Sequence, residues 1–193
     1  MLSALEVHLT LARPLDRLAD WLALRGAKYL HIELDRGASP SQPMLSFWLP
    51  GPLERARTEV DAIVARLHAE GHAVTRVKLE MAPTAPPVPG GYFEHHVKLL
   101  LDREPEANLL ALVLAHGAHL SRNARKRRDD GRHERFVTAR EVGEREMAAT
   151  RFRALEAALR QAGHTVLEVE SEYCVQDSAI VLDAGWLPER AEV

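Results

Sequence analysis

The feature that most constrains this chain is that it repeats itself. "LEVHLTL" (Leu5–Leu11) and "FEHHVKL" (Phe93–Leu99) both read apolar-Glu-x-His-apolar-polar-Leu. A Gly-Ala pair recurs in "LRGAKYL" (Leu24–Leu30) and "AHGAHL" (Ala115–Leu120). "MLSFWLPG" (Met44–Gly51) lies opposite "FVTAREVG" (Phe136–Gly143), and "ARLHAEGHAVTRVKLE" (Ala65–Glu80) opposite "AALRQAGHTVLEVESE" (Ala157–Glu172). From Glu6 to Glu94 is 88 residues, from Gly26 to Gly117 is 91, and from Gly71 to Gly163 is 92. Four matches in order, with little drift, read as two copies of one unit. Between them "MAPTAPPVPGGY" (Met81–Tyr92) has the Pro and Gly content of a connector.

Each copy carries the same pattern. In the first, "ALEVHLTLA" alternates at period two, as a strand does. "PLDRLADWLALRG" has helical spacing with Gly26 as a stop, and "YLHIELD" and "MLSFWLP" read as strands. "GPLERARTEVDAIVARLHAEGH" puts Val60, Ile63, Val64 and Leu67 on one helical stripe, and "AVTRVKLEM" closes the unit. The order βαββαβ predicts an α+β fold of tandem duplicated ferredoxin-like units, with antiparallel sheets and helices on one face of each. The expected boundaries are 1–82 for the first unit, 83–91 for the connector, 92–176 for the second unit and 177–193 for a tail that docks through "AIVL" and Trp186.

Composition excludes some classes. Apolar residues make up 46% of 193, too many for wholesale disorder. A net charge of -3 does not call for nucleic acid or an anionic membrane. The longest apolar run, "LLALVLA" (Leu109–Ala115), is too short to span a bilayer, so no membrane partner is expected. One cysteine, Cys174, excludes an intrachain disulfide and fits a cytoplasmic location. The N-terminus lacks a basic segment followed by a long apolar run, so no secretory signal is expected.

Alternation sorts the strand residues into two faces. Leu5, Val7, Leu9 and Leu11 are expected against the helices, leaving Glu6, His8 and Thr10 on the polar face. Leu30, Ile32 and Leu34 are likewise assigned to the helix side, and Tyr29, His31, Glu33 and Asp35 to the polar side. In the second copy Glu94, His96 and Lys98 share the polar face, with Thr138, Arg140, Glu168, Glu170 and Glu172. The doubled histidine therefore splits: His95 replaces Val7 on the helix side, and His96 is the counterpart of His8.

If the two polar faces line one groove, they hold side chains fit for chemistry. His8 and His96 are the candidate catalytic pair, with Glu6 and Glu94 orienting them. Thr10, Lys98, Arg122 and Arg140 are candidate contacts for a small anionic or phosphate-bearing ligand. "HLTL" (His8–Leu11) resembles the His-x-Thr-apolar motif of the two-histidine phosphoesterase superfamily. That resemblance implies paired histidines as general acid and base in a cleft between pseudo-symmetric lobes. The second copy departs from it, with Lys98 where the motif has Thr.

A divalent metal is an alternative, with His31 and Glu33 as ligands. "LHIELD" and "HHVKLLLD" resemble the metal strands of vicinal oxygen chelate enzymes, whose βαβββ units lack the second helix read here. A third reading is non-enzymatic: a scaffold, a homo-oligomer, or an RNA-associated protein using the basic hairpin Ser121–Arg140. Aromatics at 5% leave few stacking platforms, so nucleic acid is not favoured. The polar faces also have a plain reading as wet sheet surfaces. The residues name neither a cofactor nor a substrate.

Overall fold

A computed structural model describes residues 4–37 and 39–183 of the chain. Trp186 and the rest of 184–193, expected to dock, lie outside the described residues. In chain order the elements are β1 (Ala4–Leu11), α1 (Asp20–Ala23), β2 (Lys28–Leu34), β3 (Ser41–Pro50), α2 (Leu53–Ala69) and β4 (Val74–Met81). They continue with β5 (Tyr92–Leu101), α3 (Ala107–Ala115), β6 (His119–Asn123), β7 (His133–Glu141), α4 (Arg145–Gln161) and β8 (Thr165–Asp177), then a short 3₁₀ turn, Ile180–Asp183.

The two long helices follow from their apolar spacing. In α2, Ala56, Val60, Ile63 and Leu67 are buried, and in α4 Ala148, Phe152, Leu155 and Leu159 are, each set recurring every three or four residues. Gly71 and Gly163, both at φ +85°, end these helices in a backbone conformation that costs glycine nothing. α1 is a single turn, much shorter than the apolar spacing of 14–26 predicts. The stretch before it takes another use: the Leu15 amide donates to the Tyr29 hydroxyl at 3.0 Å.

All strand pairings are antiparallel, and the eight strands close into one barrel in the order β1-β3-β2-β6-β7-β5-β8-β4. This overturns the expected tandem ferredoxin-like units and the internal duplication read with them. β2 pairs with β6 and β4 with β8, so the halves share one continuous wall instead of presenting separate open sheets. Closure pairs most of the edges that open sheets would expose, leaving Thr165–Ser171 of β8 with one partner strand. The sequence told polar strand faces from apolar ones, but a polar face can meet bulk water or a barrel lumen, and alternation is the same for both.

The apolar core consequently lies outside the barrel wall. One cluster packs β1, β3 and β4 against α1 and α2 through Leu5, Val7, Leu9, Phe47, Val60, Ile63 and Leu67. A second packs β5, β6 and β7 against α3 and α4 through Val97, Leu99, Leu109, Val113, Leu155 and Leu159. Burying such a side chain fully contributes about 1.5–3 kcal/mol. His95 belongs to this outer layer: it is buried and stacks on Phe152 with ring centroids 4.4 Å apart. The lumen, by contrast, buries Arg76, Lys78, Glu80, Glu94, Arg140 and Glu172.

Candidate functional site

β1 and β4 place Glu6 directly opposite Glu80, and β5 and β8 place Glu94 opposite Glu172. Two carboxylates facing each other across a ladder repel, and the lumen resolves its two such pairs differently. At the first pair His8 sits between the acids, with Nε2 3.1 Å from Glu6 Oε1 and Nδ1 3.0 Å from Glu80 Oε2. Burial alone would lower the pKa of His8, but the charge of Glu80 and the contacts to both acids raise it to about 9. Burial likewise pushes Glu6 upward, yet the His8 hydrogen bond and charge, with the Ser46 hydroxyl at 2.7 Å, bring it down to about 2.

The second pair is bound on one side only. Glu94 takes Lys78 Nζ at 2.8 Å, Arg140 Nε at 2.5 Å and His96 Nε2 at 3.2 Å. Its pKa falls well below the ordinary value because Arg140 and Lys78 outweigh the burial. Glu172 has no such company: its nearest ring nitrogen, His96 Nε2, is 3.8 Å away. Burial, followed by the charge of Glu80, raises Glu172 to about 9. The raised pKa favours its protonated form at neutral pH, beside Glu6. Lys78 joins the two pairs, reaching Glu80 at 2.9 Å as well as Glu94. Arg76 forms a two-pronged pair with Asp177, at 2.9 and 2.6 Å.

These groups line one cavity of about 250 Å³ inside the barrel. β1, β4, β5 and β8 give it a charged wall that includes Glu6, His8, Lys78, Glu94, His96 and Glu172. Leu30, Ile32 and Leu34 of β2, with Met44 of β3 and Phe136 of β7, give it an apolar side, while Gln42 of β3 and Thr138 and Arg140 of β7 add polar groups. The side chains of Glu6, Glu170 and Glu172 come within 4.8 Å of one another.

The structure brings some predicted site residues together and separates others. Glu6, His8, Thr10, Glu94, His96 and Arg140 all line this cavity. Lys98 does not; it is held by Glu134 at 3.3 Å and Glu168 at 3.7 Å. Arg122 lies outside the lumen, paired with Glu33 at 2.6 Å. His31 and Glu33, the alternative metal ligands, are also outside it, because β2 runs in the opposite phase to the one assigned from sequence. Leu30, Ile32 and Leu34 face the lumen, and His31 bonds Ser41 at 2.8 Å. The assignment assumed that apolar residues always face helices, whereas four-residue α1 covers little and the lumen takes an apolar wall of its own. In the basic hairpin Arg128 and Arg132 close on Asp130, Lys126 on Glu134, and Arg125 lies over Tyr29.

Glu80, Lys78 and Glu172 are the site residues that sequence reasoning left without a role. The available signal was alternation, which puts Lys78 and Glu80 two residues apart on one face of β4 and Glu172 on the polar face of β8.

No family model matches the chain, and no curated protein matches it. Solved structures with some likeness include a heme-binding protein from Thermus thermophilus, at 12% identity and TM-score 0.31, covering 91% of this chain and 92% of that one. Another is a proposed chlorite dismutase, at 10% identity and TM-score 0.29, covering 89% and 94%. At these TM-scores the likenesses carry no argument about this chain. No helix among the described residues is long and apolar enough to cross a membrane.

Proposed function

We propose that the protein binds a small amphipathic molecule inside the barrel, polar end on the charged wall and apolar body against Leu30, Ile32, Met44 and Phe136. The observation that carries this reading is the division of one interior cavity into two walls of opposite character, with the buried carboxyl of Glu172 in its lining. Small-molecule sites combine apolar lining with a few convergent polar groups in the same way, and about 250 Å³ lies just below their usual lower size of roughly 300 Å³.

The polar end is better matched by an amine than by the anion or phosphate expected from the sequence. Lys78, Arg140, Arg76 and His8 each already touch a carboxylate, so an incoming anion must compete for them. The acids that touch no cation closely are Glu172, and Glu170, which has none within 4 Å among the described residues. An ammonium group would take over the work now done by the proton on Glu172. Binding, not turnover, is the reading for the histidines. Both ring nitrogens of His8 contact acids, and those of His96 contact Thr138 at 2.9 Å and Glu94 at 3.2 Å.

Binding of hexylammonium, hexanoate and hexyl phosphate, measured side by side by calorimetry, tests this. The amine should bind most tightly, and its affinity should rise about fourfold per methylene from butyl to hexyl, as about 0.8 kcal/mol per buried CH₂ requires. Tighter binding of the phosphate would return the site to the anion reading. No binding of any of the three would remove the lumen as a site for this class.

A further inference from the structure

We propose that the outer edge of β8 is a docking site for an extended peptide segment carrying basic residues at alternate positions. β8 is the longest strand, at 13 residues, and its two neighbours cover it unequally. β5 pairs with it from Thr165 to Cys174, but β4 reaches only from Tyr173 to Asp177 because β4 ends at Met81. Thr165–Ser171 therefore has one partner strand, and among the described residues no other strand pairs with its second side.

Its side chains report the same gap. Val169 lies opposite Val97, which is wholly buried, yet keeps 40% of its surface exposed; Leu167 keeps 44%. Backbone N–H and C=O groups pointing away from a lone neighbour are a template for an added strand. The usual guards against such pairing are incomplete here. There is no proline or lysine in the stretch, and the one irregularity in register falls near Leu167, leaving Glu168–Ser171 regular beyond it.

Charge decides the occupant. Glu168 and Glu170 share one face of the strand, and Val169, opposite Val97, lies on the other. Antiparallel pairing of β8 with a second copy of itself would bring these glutamates opposite one another, which is unfavourable. A strand with Lys or Arg opposite the glutamates and Val, Ile or Leu opposite Val169 matches both faces of the regular stretch. Glu170 also lines the lumen cavity, so the peptide would share that carboxylate with a lumen ligand, while Glu168 and the strand's backbone belong to the docking alone.

The probe is a capped hexapeptide of alternating Lys and Val, titrated into the full chain by fluorescence anisotropy. Its companions are a Glu/Val peptide and a Lys/Val peptide N-methylated at alternate amides. The Lys/Val peptide should bind, and N-methylation on the pairing side should weaken it about tenfold or more, since the added ladder bonds are lost. Glu168→Lys should weaken the Lys/Val peptide and favour the Glu/Val one. Amide exchange should slow across Glu168–Ser171 on binding. Binding indifferent to N-methylation would overturn the proposal in favour of plain charge attraction. Slowed exchange that appears with protein concentration alone would overturn it in favour of self-pairing, and no binding would overturn it outright.

Discussion

Replacing Glu172 with Gln should change how stability responds to pH while leaving the neutral-pH fold in place. Glu172 is buried and its pKa is raised to about 9 from an ordinary 4.5. Between those values the folded chain holds a proton that the unfolded chain has released. Stability from this group is complete below about 4.5 and is lost as pH rises through about 9, at up to about 1.4 kcal/mol per pH unit. His8, raised to about 9 from 6.5, adds the same slope over the upper part of that range. From pH 7 to pH 8 these two groups should together cost the wild type up to about 2.7 kcal/mol. Glu172→Gln should lose only the His8 share, up to about 1.4 kcal/mol, because its amide is close to the carboxyl in shape but cannot ionise. Urea unfolding of both proteins at pH 6, 7 and 8 gives the two slopes. Parallel slopes would refute the reasoning, since they would mean that Glu172 is ionised in the folded protein at neutral pH.

Lys78→Met should destabilise the protein by about 3–5 kcal/mol in chemical denaturation, because Glu80 and Glu94 lose a shared buried cation; a loss under about 1 kcal/mol would mean that the lumen network is hydrated. Phe47→Ala should cost about 3–5 kcal/mol, as Phe47 is 1% exposed in the outer core, and a smaller loss would question the packing of α2 on the barrel. Burial, then the charge of His96, lowers His95 to about 4 from 6.5, so its neutral form contributes stability that is full above 6.5 and lost as pH falls through about 4. His95→Leu should therefore flatten thermal stability between pH 7 and pH 4, and an unchanged acid limb would contradict the buried stack on Phe152.

Much of the local structure could be read from period and punctuation. The strand phases of β1, β5 and β8 followed from alternation, which also separates His95 from His96. Closure could not be read. It depends on β2–β6 and β4–β8 pairings between distant segments, and no local pattern encodes which edges meet. The phase of β2 was misjudged for a related reason: Leu30, Ile32 and Leu34 look like residues facing helices, and only a closed lumen gives them another apolar place. Arg122 and Lys98 were chosen for their charge, but Glu33 and Glu134 had prior claims on them that sequence distance hides. Glu172 looked like any other polar strand residue, because its raised pKa comes from burial and from Glu80 on another strand.

The central claim is that the lumen exchanges the proton of Glu172 for a cationic head group. Calorimetric titration of hexylammonium at pH 7, repeated in buffers of different ionisation enthalpy, counts the protons released. The wild type should release close to one proton per ligand bound, and Glu172→Gln close to none. Binding with no proton release from the wild type, or equal release from both proteins, would contradict it.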